Sequence, residues 1–236
     1  MPGYLLLAGG AEFGGQMAQP DRRSLELAGG LAVSVRILPT AAAPDNNSRR
    51  AGNNGVHWFR GLGASDVAVV PVIDVASAND ARLAAQLRRS RLIYLLGGFT
   101  GYLGETLKGS LCWQAALEAY ADGAVLAGSS AGAMVLCQYY FDPAHQQVAE
   151  GFNLLPNTCV LPHHNTFGVR WAQQLAKLLP GVVLIGIDER TAMLDDGAGE
   201  RTTSWRVYGQ GAVTIYRQGQ PVIYSPGEQF EETFLS

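Results

Sequence analysis

A doubly wound α/β fold, with a mostly parallel sheet flanked by helices, is predicted for this chain by three observations. Short apolar runs alternate with longer amphipathic segments. Glycines gather where those runs end. The 236 residues are 47% hydrophobic and only 16% charged, against a usual charged share of about 25%. Runs that are apolar on both faces and separated by helix-length connectors are what parallel strands covered from both sides require. Without a linker, low-complexity tract or repeat, the chain reads as one α/β domain over residues 1–236.

The elements follow in order. YLLLAGG (4–10) is the first strand: its apolar core is too short for a membrane span, and no charged leader precedes it. LAVSVRILPT (31–40), VAVVPVID (67–74), RLIYLLGG (91–98) and AVLAGSS (124–130) supply four more β-rich runs. The segments between them, including 47–63, 79–90 and 109–123, have helical length and patterning. Beyond Gly151, TCVLPHHN (158–165) reads as a strand, FGVRWAQQLAKLL (167–179) as a helix and GVVLIGID (181–188) as another buried strand. TAMLDD, SWRVYG, AVTIYRQ and PVIYSP then predict antiparallel hairpins that extend the sheet or form a small layer. Their aromatic residues have two explanations, buried strand packing or a homodimer contact.

Composition narrows the function. The net charge is −3 and basic groups stay as short as RRSR (88–91), so a phosphate backbone has no electrostatic footprint to meet and no nucleic-acid partner is expected. No membrane association is expected either. Cys112, Cys137 and Cys159 are an odd set without CxxC or Cys/His metal spacing, which points to reduced structural thiols and a cytosolic setting. GGAEFG lacks the middle glycine of a dinucleotide fingerprint, and no Walker-type Gly-Lys-Ser/Thr occurs. With His163 and His164 adjacent and no H-E-x-x-H present, no metal site is expected.

In a doubly wound sheet, ligands bind at the carboxyl ends of the strands, and there the chain places GGAEFGG (9–15), GGFTGYLG (97–104) and GSSAGA (128–133). Gly128-Ser129-Ser130-Ala131-Gly132 fits G-x-S-x-G between a strand and the helix candidate AGAMVLCQY (131–139). Small neighbours permit the strained turn that lifts a nucleophilic serine clear of a sheet. Ser130 is equally well placed to serve as a helix N-cap, and a partner base decides between these readings.

Among four histidines, His57 falls in a helical segment and His145 in the polar DPAHQQ loop. His163 and His164 end a predicted strand in the same layer as Ser130. Because adjacent strand residues face opposite ways, one of the two reaches the serine as general base. Glu189, closing the next buried strand, is the candidate that orients the imidazole. Asp188 beside it reads as a polar strand end, and Asp142 and Glu150 are reserve acids. The amides of Ala131 and Gly98 are the candidate oxyanion donors.

Assembled in this order, LLLAGGAEF, LIYLLGGFTGYL, VLAGSSAGAM, LLPNTCVLPHHN and GVVLIGIDERTAML resemble the serine peptidase family that contains cyanophycinase and α-aspartyl dipeptidase, over most of residues 4–195. The resemblance implies a class I glutamine-amidotransferase-like fold, a serine nucleophile and peptidase or amidohydrolase activity without metal or organic cofactor. It places the nucleophile on Ser130, an oxyanion donor on Gly98 and the acidic strand-end motif on Asp188 and Glu189. Aligning Arg170 with the family's arginines selects His164 as base, the preferred assignment here; aligning Pro162 with a Pro-His-Phe string selects His163. Thr100 and Arg170 are the implied substrate contacts.

The expected activity is therefore a serine-type hydrolase with a Ser130-His164-Glu189 triad, acting through an acyl-enzyme on a small peptide or amide substrate. Two alternatives stand beside it. One is a non-catalytic protein that binds a small molecule or partner on the same scaffold. The other is a glutaminase or amidotransferase, disfavoured because serine occupies the elbow and Cys137 falls in the predicted helix.

Overall fold

Fourteen strands and eight α-helices follow the alternation expected of the sequence over residues 3–197, 204–217 and 220–231, which the computed structural model describes. Gln218, at the end of the predicted AVTIYRQ run, lies outside these residues. The first half contributes β1 (Tyr4–Ala8), β2 (Ser34–Leu38), β3 (Asp66–Val69), β4 (Leu92–Leu95) and β5 (Val125–Ser129). They interleave with α1 (Ala18–Ala28), α2 (Ser48–Gly61), α3 (Val75–Ala78), α4 (Ala81–Arg88), α5 (Thr100–Leu107) and α6 (Leu111–Ala121). All pairings among these five strands are parallel, in the spatial order β1-β5-β4-β2-β3.

The second half brings α7 (Ala131–Leu136), β6 (Cys137–Asp142), β7 (Gln147–Glu150), β8 (Leu155–Leu161), α8 (Ala172–Leu178), β9 (Val183–Ile187) and β10 (Thr191–Leu194). Then come β11 (Ser204–Gly209), β12 (Val213–Arg217), β13 (Gln220–Tyr224) and β14 (Gln229–Glu231). Three of these, β10, β11 and β14, extend the first sheet antiparallel beyond β1 to make eight strands. The rest form a second, six-stranded sheet in the order β13-β12-β9-β8-β6-β7, with β6, β8 and β9 parallel. The C-terminal hairpins are present, but the strands after β5 divide between two sheets instead of adding to one edge or a small layer.

Period-two alternation explains why the central strands are apolar throughout. Leu5 and Leu7 of β1 enter one hydrophobic cluster with Leu95, Leu126 and residues of α6, while Leu6 and Ala8 enter another with Ile37, Tyr94 and Phe59. Burying each leucine is worth roughly 1.5–3 kcal/mol, so both faces of the sheet are committed to helices and its strand ends are left for function.

One predicted boundary is wrong. The helix expected over 131–139 stops at Leu136, and Cys137 opens β6. Tyr139, Tyr140 and Phe141 favour a pleated, half-buried strand, and they pair antiparallel with β7 through Tyr139↔Glu150 and Phe141↔Val148. The DPAHQQ loop is thus the turn of a hairpin.

The loop after β1 ties the two sheets together at their carboxyl ends. The Ala8 carbonyl accepts from the Ser130 N–H at 2.9 Å, that of Gly9 from His163 at 2.7 Å and that of Gly10 from Arg190 at 2.9 Å. Three backbone hydrogen bonds in succession bring the ends of β5, β8 and β9 to one rim.

Candidate active site

Ser130 occupies the single residue between β5 and α7 with φ 50° and ψ −113°. A non-glycine residue in that region costs of order 1–3 kcal/mol, and its surroundings hold it there. A Cβ on Gly128 would lie 2.4 Å from the Gly132 carbonyl, and one on Gly132 would lie 2.2 Å from the Leu95 oxygen. The small residues of G-x-S-x-G are thus dictated by backbone approach on both sides of the turn. The Ser130 side chain makes no capping hydrogen bond to α7, so the N-cap reading fails.

Its hydroxyl meets His163. Nε2 of that ring lies 3.1 Å from Ser130 Oγ, and Nδ1 lies 2.8 Å from Glu189 Oε1. With Glu189 ionised, the Nδ1–H donates to the carboxylate and Nε2 accepts from the serine O–H. His163 itself has φ 49°, just beyond the end of β8. Room for its ring exists because Gly10 has no side chain: a Cβ there would sit 2.3 Å from Cε1. Phe167 stacks on the imidazole with centroids 4.8 Å apart and planes 24° from parallel, and Trp171 packs edge-on behind it at 5.4 Å. The Glu189 N–H donates to Asn165 Oδ1 at 3.0 Å, which fixes the strand end that presents the acid.

His164, the preferred base on sequence grounds, turns the other way. It is buried, its backbone N–H donates to the Ile187 carbonyl at 3.0 Å, and its Nε2 lies 2.9 Å from the Tyr216 hydroxyl. Asp188 Oδ1 stands 3.5 Å from its Nδ1, while Asp188 Oδ2 accepts from the Ala212 N–H at 2.9 Å. Burial pushes this imidazole below its ordinary pKa, against the opposing pull of Asp188. The correction has a local cause: the left-handed turn at His163 directs that side chain to the β1 loop and the next one beneath β9 and β12.

The remaining candidates separate in the same way. Asp142 is buried and bonds to His145 Nδ1 at 2.7 Å and the Ala144 N–H at 3.0 Å. Glu150 pairs with Lys108 at 3.6 Å in solvent. Neither acid approaches His163. Thr100 is buried with its hydroxyl directed at the Met134 sulfur, 3.6 Å away, so it is not a substrate contact in this arrangement. Arg170 is exposed on the 3-10 turn that follows the histidines.

The two expected oxyanion donors lie just beyond the ends of the paired strands β5 and β4. Ala131 is the first residue of α7, where an amide has no partner within its helix. Gly98, with φ 140°, has an N–H without a hydrogen-bond partner among the described residues. Its neighbour Gly97 runs close alongside, since a Cβ there would be 3.1 Å from Ser130 Cβ.

The thiols are remote from this chemistry. All three cysteines are buried and free, and burial pushes Cys112 up to about 11 and Cys137 up to about 12. Among the described residues no three His, Cys, Asp or Glu side chains come together as metal ligands, and no helix is long and apolar enough to cross a membrane. A cleft of about 630 Å³ opens on the Gly97–Gly98 side of the serine, lined in part by Glu12, Phe13, Asp45, His57 and Trp58. Neither these five residues nor Phe167 belongs to a sequence motif that marks a site. In GGAEFGG the glycines carry the sequence signal and the glutamate between them carries none.

The chain is similar to known proteins over most of its length. The model of peptidase family S51 matches residues 5–202. The chain is similar to the cyanophycinase of Synechococcus elongatus, 28% identical over 233 residues that cover 90% of this chain and 67% of the relative. It is also similar to the cyanophycinase of Geminocystis herdmanii, 27% identical over 236 residues, with 94% and 82% covered. Among solved structures, a peptidase from an acI-B1 Actinobacterium superposes with a TM-score of 0.85 at 30% identity, covering 98% of this chain and 97% of that one. A peptidase E-like protein from Listeria monocytogenes, at 17% identity and a TM-score of 0.58 with 95% and 99% covered, shares the fold.

Proposed function

This chain belongs to peptidase family S51 and is a serine hydrolase of the peptidase type, and we propose that it cleaves amide bonds of short peptides through Ser130, His163 and Glu189. The observation that carries this reading is the unbroken chain of hydrogen bonds from the Ser130 hydroxyl through both ring nitrogens of His163 to the Glu189 carboxylate. His163 Nε2 takes the serine proton as Oγ attacks the substrate carbonyl carbon, and Glu189 stabilises the resulting imidazolium. The amides of Ala131 and Gly98 receive the developing oxyanion, an interaction worth roughly 3–4 kcal/mol per donor in a water-excluded site. As the C–N bond breaks, His163 returns its proton to the leaving amine. Water then attacks the acyl-enzyme by the same route in reverse. Arg170, exposed beside the histidine turn, is the proposed contact for the far end of the substrate.

The test combines a fluorophosphonate probe with a library of dipeptides and short peptides. Wild-type protein is expected to be labelled at Ser130 and to cleave members of the library; Ser130→Ala is expected to do neither, and His163→Ala to lose at least about 10²–10⁴-fold in rate. An unlabelled wild type that cleaves no amide faster than Ser130→Ala refutes the proposal.

A further inference from the structure

Ser129 poses a different question from Ser130. It closes β5 wholly buried, on the face that Val125 and Ala127 turn toward the cluster of Ala8, Phe59 and Tyr94. A hydroxyl buried among such neighbours needs a hydrogen-bond partner. The partner is a carboxylate: Ser129 Oγ donates to Glu12 Oε2 at 2.8 Å, and Ser129 is the one hydrogen-bond partner of Glu12 among the described residues.

The loop that carries Glu12 is shaped to present it. Ala11 and Phe13, on either side, have φ 55° and 64°, a region that non-glycine residues hold only where the surroundings impose it. Through the carbonyls of Ala8, Gly9 and Gly10 this loop already accepts from the backbone N–H groups of Ser130, His163 and Arg190. Glu12 adds a side chain to that series and reaches one element further. Its Oε1 lies 3.7 Å from where a Gly97 Cβ would be, and that same Cβ would be 3.1 Å from Ser130 Cβ and 3.5 Å from the Ser129 carbonyl oxygen. One carboxylate thus holds the residue before the nucleophile and stands against the residue before Gly98. Those two neighbours set the separation between the Ser130 hydroxyl and the Gly98 amide.

We propose that Glu12 is a positioning residue: through the Ser129 hydroxyl it fixes the positive-φ turn at Ser130 and the placement of that serine against the Gly97–Gly98 loop. The inference rests on the reading of Ser130 as nucleophile and Gly98 as oxyanion donor. What Glu12 contributes is an acceptor oxygen in a fixed place and not its charge, since a negative charge so close to a developing oxyanion opposes it. An amide oxygen in the same place does the same work.

Second-order rate constants for fluorophosphonate labelling test this, because the reagent reports the reactivity of the serine and its oxyanion donors whatever the peptide substrate. Glu12→Ala and Ser129→Ala are each expected to slow labelling about 10²-fold, the order of loss that a misplacement of about 1 Å brings. Glu12→Gln keeps an oxygen for the Ser129 hydroxyl and is expected to recover to within about fivefold of wild type. The Glu12→Ala/Ser129→Ala double variant is expected to be no slower than the slower single variant, because both remove one interaction. For a peptide that the wild type cleaves, the loss is expected in kcat, with KM within about twofold. Circular dichroism checks that each variant is folded at the assay temperature. Ser129→Ala trims only a hydroxyl from a strand of small residues, so it carries the test if Glu12→Ala fails to fold. Ser129→Ala labelled at the wild-type rate, Glu12→Gln as slow as Glu12→Ala, or losses that multiply in the double variant overturn the inference. Labelling of the wild type at Ser130 leaves the hydrolase reading standing in each of those cases; a wild type unlabelled at Ser130 refutes that reading and the positioning role with it.

Discussion

His163 and His164 are adjacent in the chain and serve opposite sides of the rim: Nε2 of the first lies 3.1 Å from Ser130 Oγ, and Nε2 of the second lies 2.9 Å from the Tyr216 hydroxyl. Asp188 and Glu189 repeat the division, the one beside His164 and the other on His163. Alanine at each histidine therefore gives opposite results. His163→Ala is expected to lower kcat at least about 10²–10⁴-fold with little effect on unfolding. His164→Ala is expected to cost about 1–3 kcal/mol of stability by leaving buried polar groups unpaired, while kcat stays within about tenfold. Steady-state kinetics and denaturant unfolding on both variants check this; a His164→Ala protein with the larger kcat loss would reverse the assignment.

Gly10→Ala tests the packing that seats the proposed base, His163. The added methyl would lie 2.3 Å from His163 Cε1, so the ring must leave its place against Ser130 and Glu189. A displacement of about 1 Å from a productive geometry costs on the order of 10²-fold in rate. The expected outcome is a folded protein, judged by circular dichroism, with kcat reduced by at least that factor. Full activity in this variant would mean that His163 is not the proton acceptor.

The parallel half of the fold was legible because its signal is local. Strands such as Leu92–Leu95 and Val125–Ser129 are apolar on both faces, and glycines mark their ends. The serine turn was legible for a related reason, since Gly128 and Gly132 touch other backbone and tolerate nothing larger. The choice between His163 and His164 was not. Strand alternation says that two neighbours diverge but not which one faces the serine, and the deciding feature is a left-handed residue at His163 that no side chain announces. The strand beginning at Cys137 was hidden by helix-compatible residues running straight on from Ala131–Leu136. Glu12 escaped because its importance comes from Ser129 and Gly97, more than eighty residues away in sequence.

His164 also sets a response to acid. Burial lowers its folded-state pKa below the ordinary value of 6.5, so the unfolded chain binds a proton that the folded one refuses. Stability from this group is complete above about 6.5 and is lost as the pH falls through the folded pKa. His164→Gln, which cannot titrate, is expected to show a shallower decline than wild type when unfolding free energies are measured from pH 7.5 down to 5. Parallel profiles for the two proteins would place the acid response elsewhere.

Asp21 works in the opposite direction, beneath the cleft. It is fully buried on α1, accepts from the indole N–H of Trp58 at 2.7 Å through Oδ2, and leaves Oδ1 without a partner. Burial raises its pKa from 3.8 to about 7, with the Trp58 hydrogen bond opposing and the charge of Glu12 adding to the rise. The folded protein thus holds a proton that the unfolded chain has already released. This contribution is complete below about 3.8 and is lost as the pH rises to about 7, at up to about 1.4 kcal/mol per pH unit. Asp21→Asn keeps an acceptor for Trp58 and removes the ionisation. The variant is expected to gain on wild type steadily from pH 4.5 to 7, and then to keep a constant advantage in unfolding free energy. Because Trp58 walls the cleft, its fluorescence in wild type is expected to titrate near pH 7 and to be flat in the variant. A wild-type protein whose stability advantage over Asp21→Asn grows with pH would show that this carboxyl is ionised in the fold and held by a partner that compensates its charge.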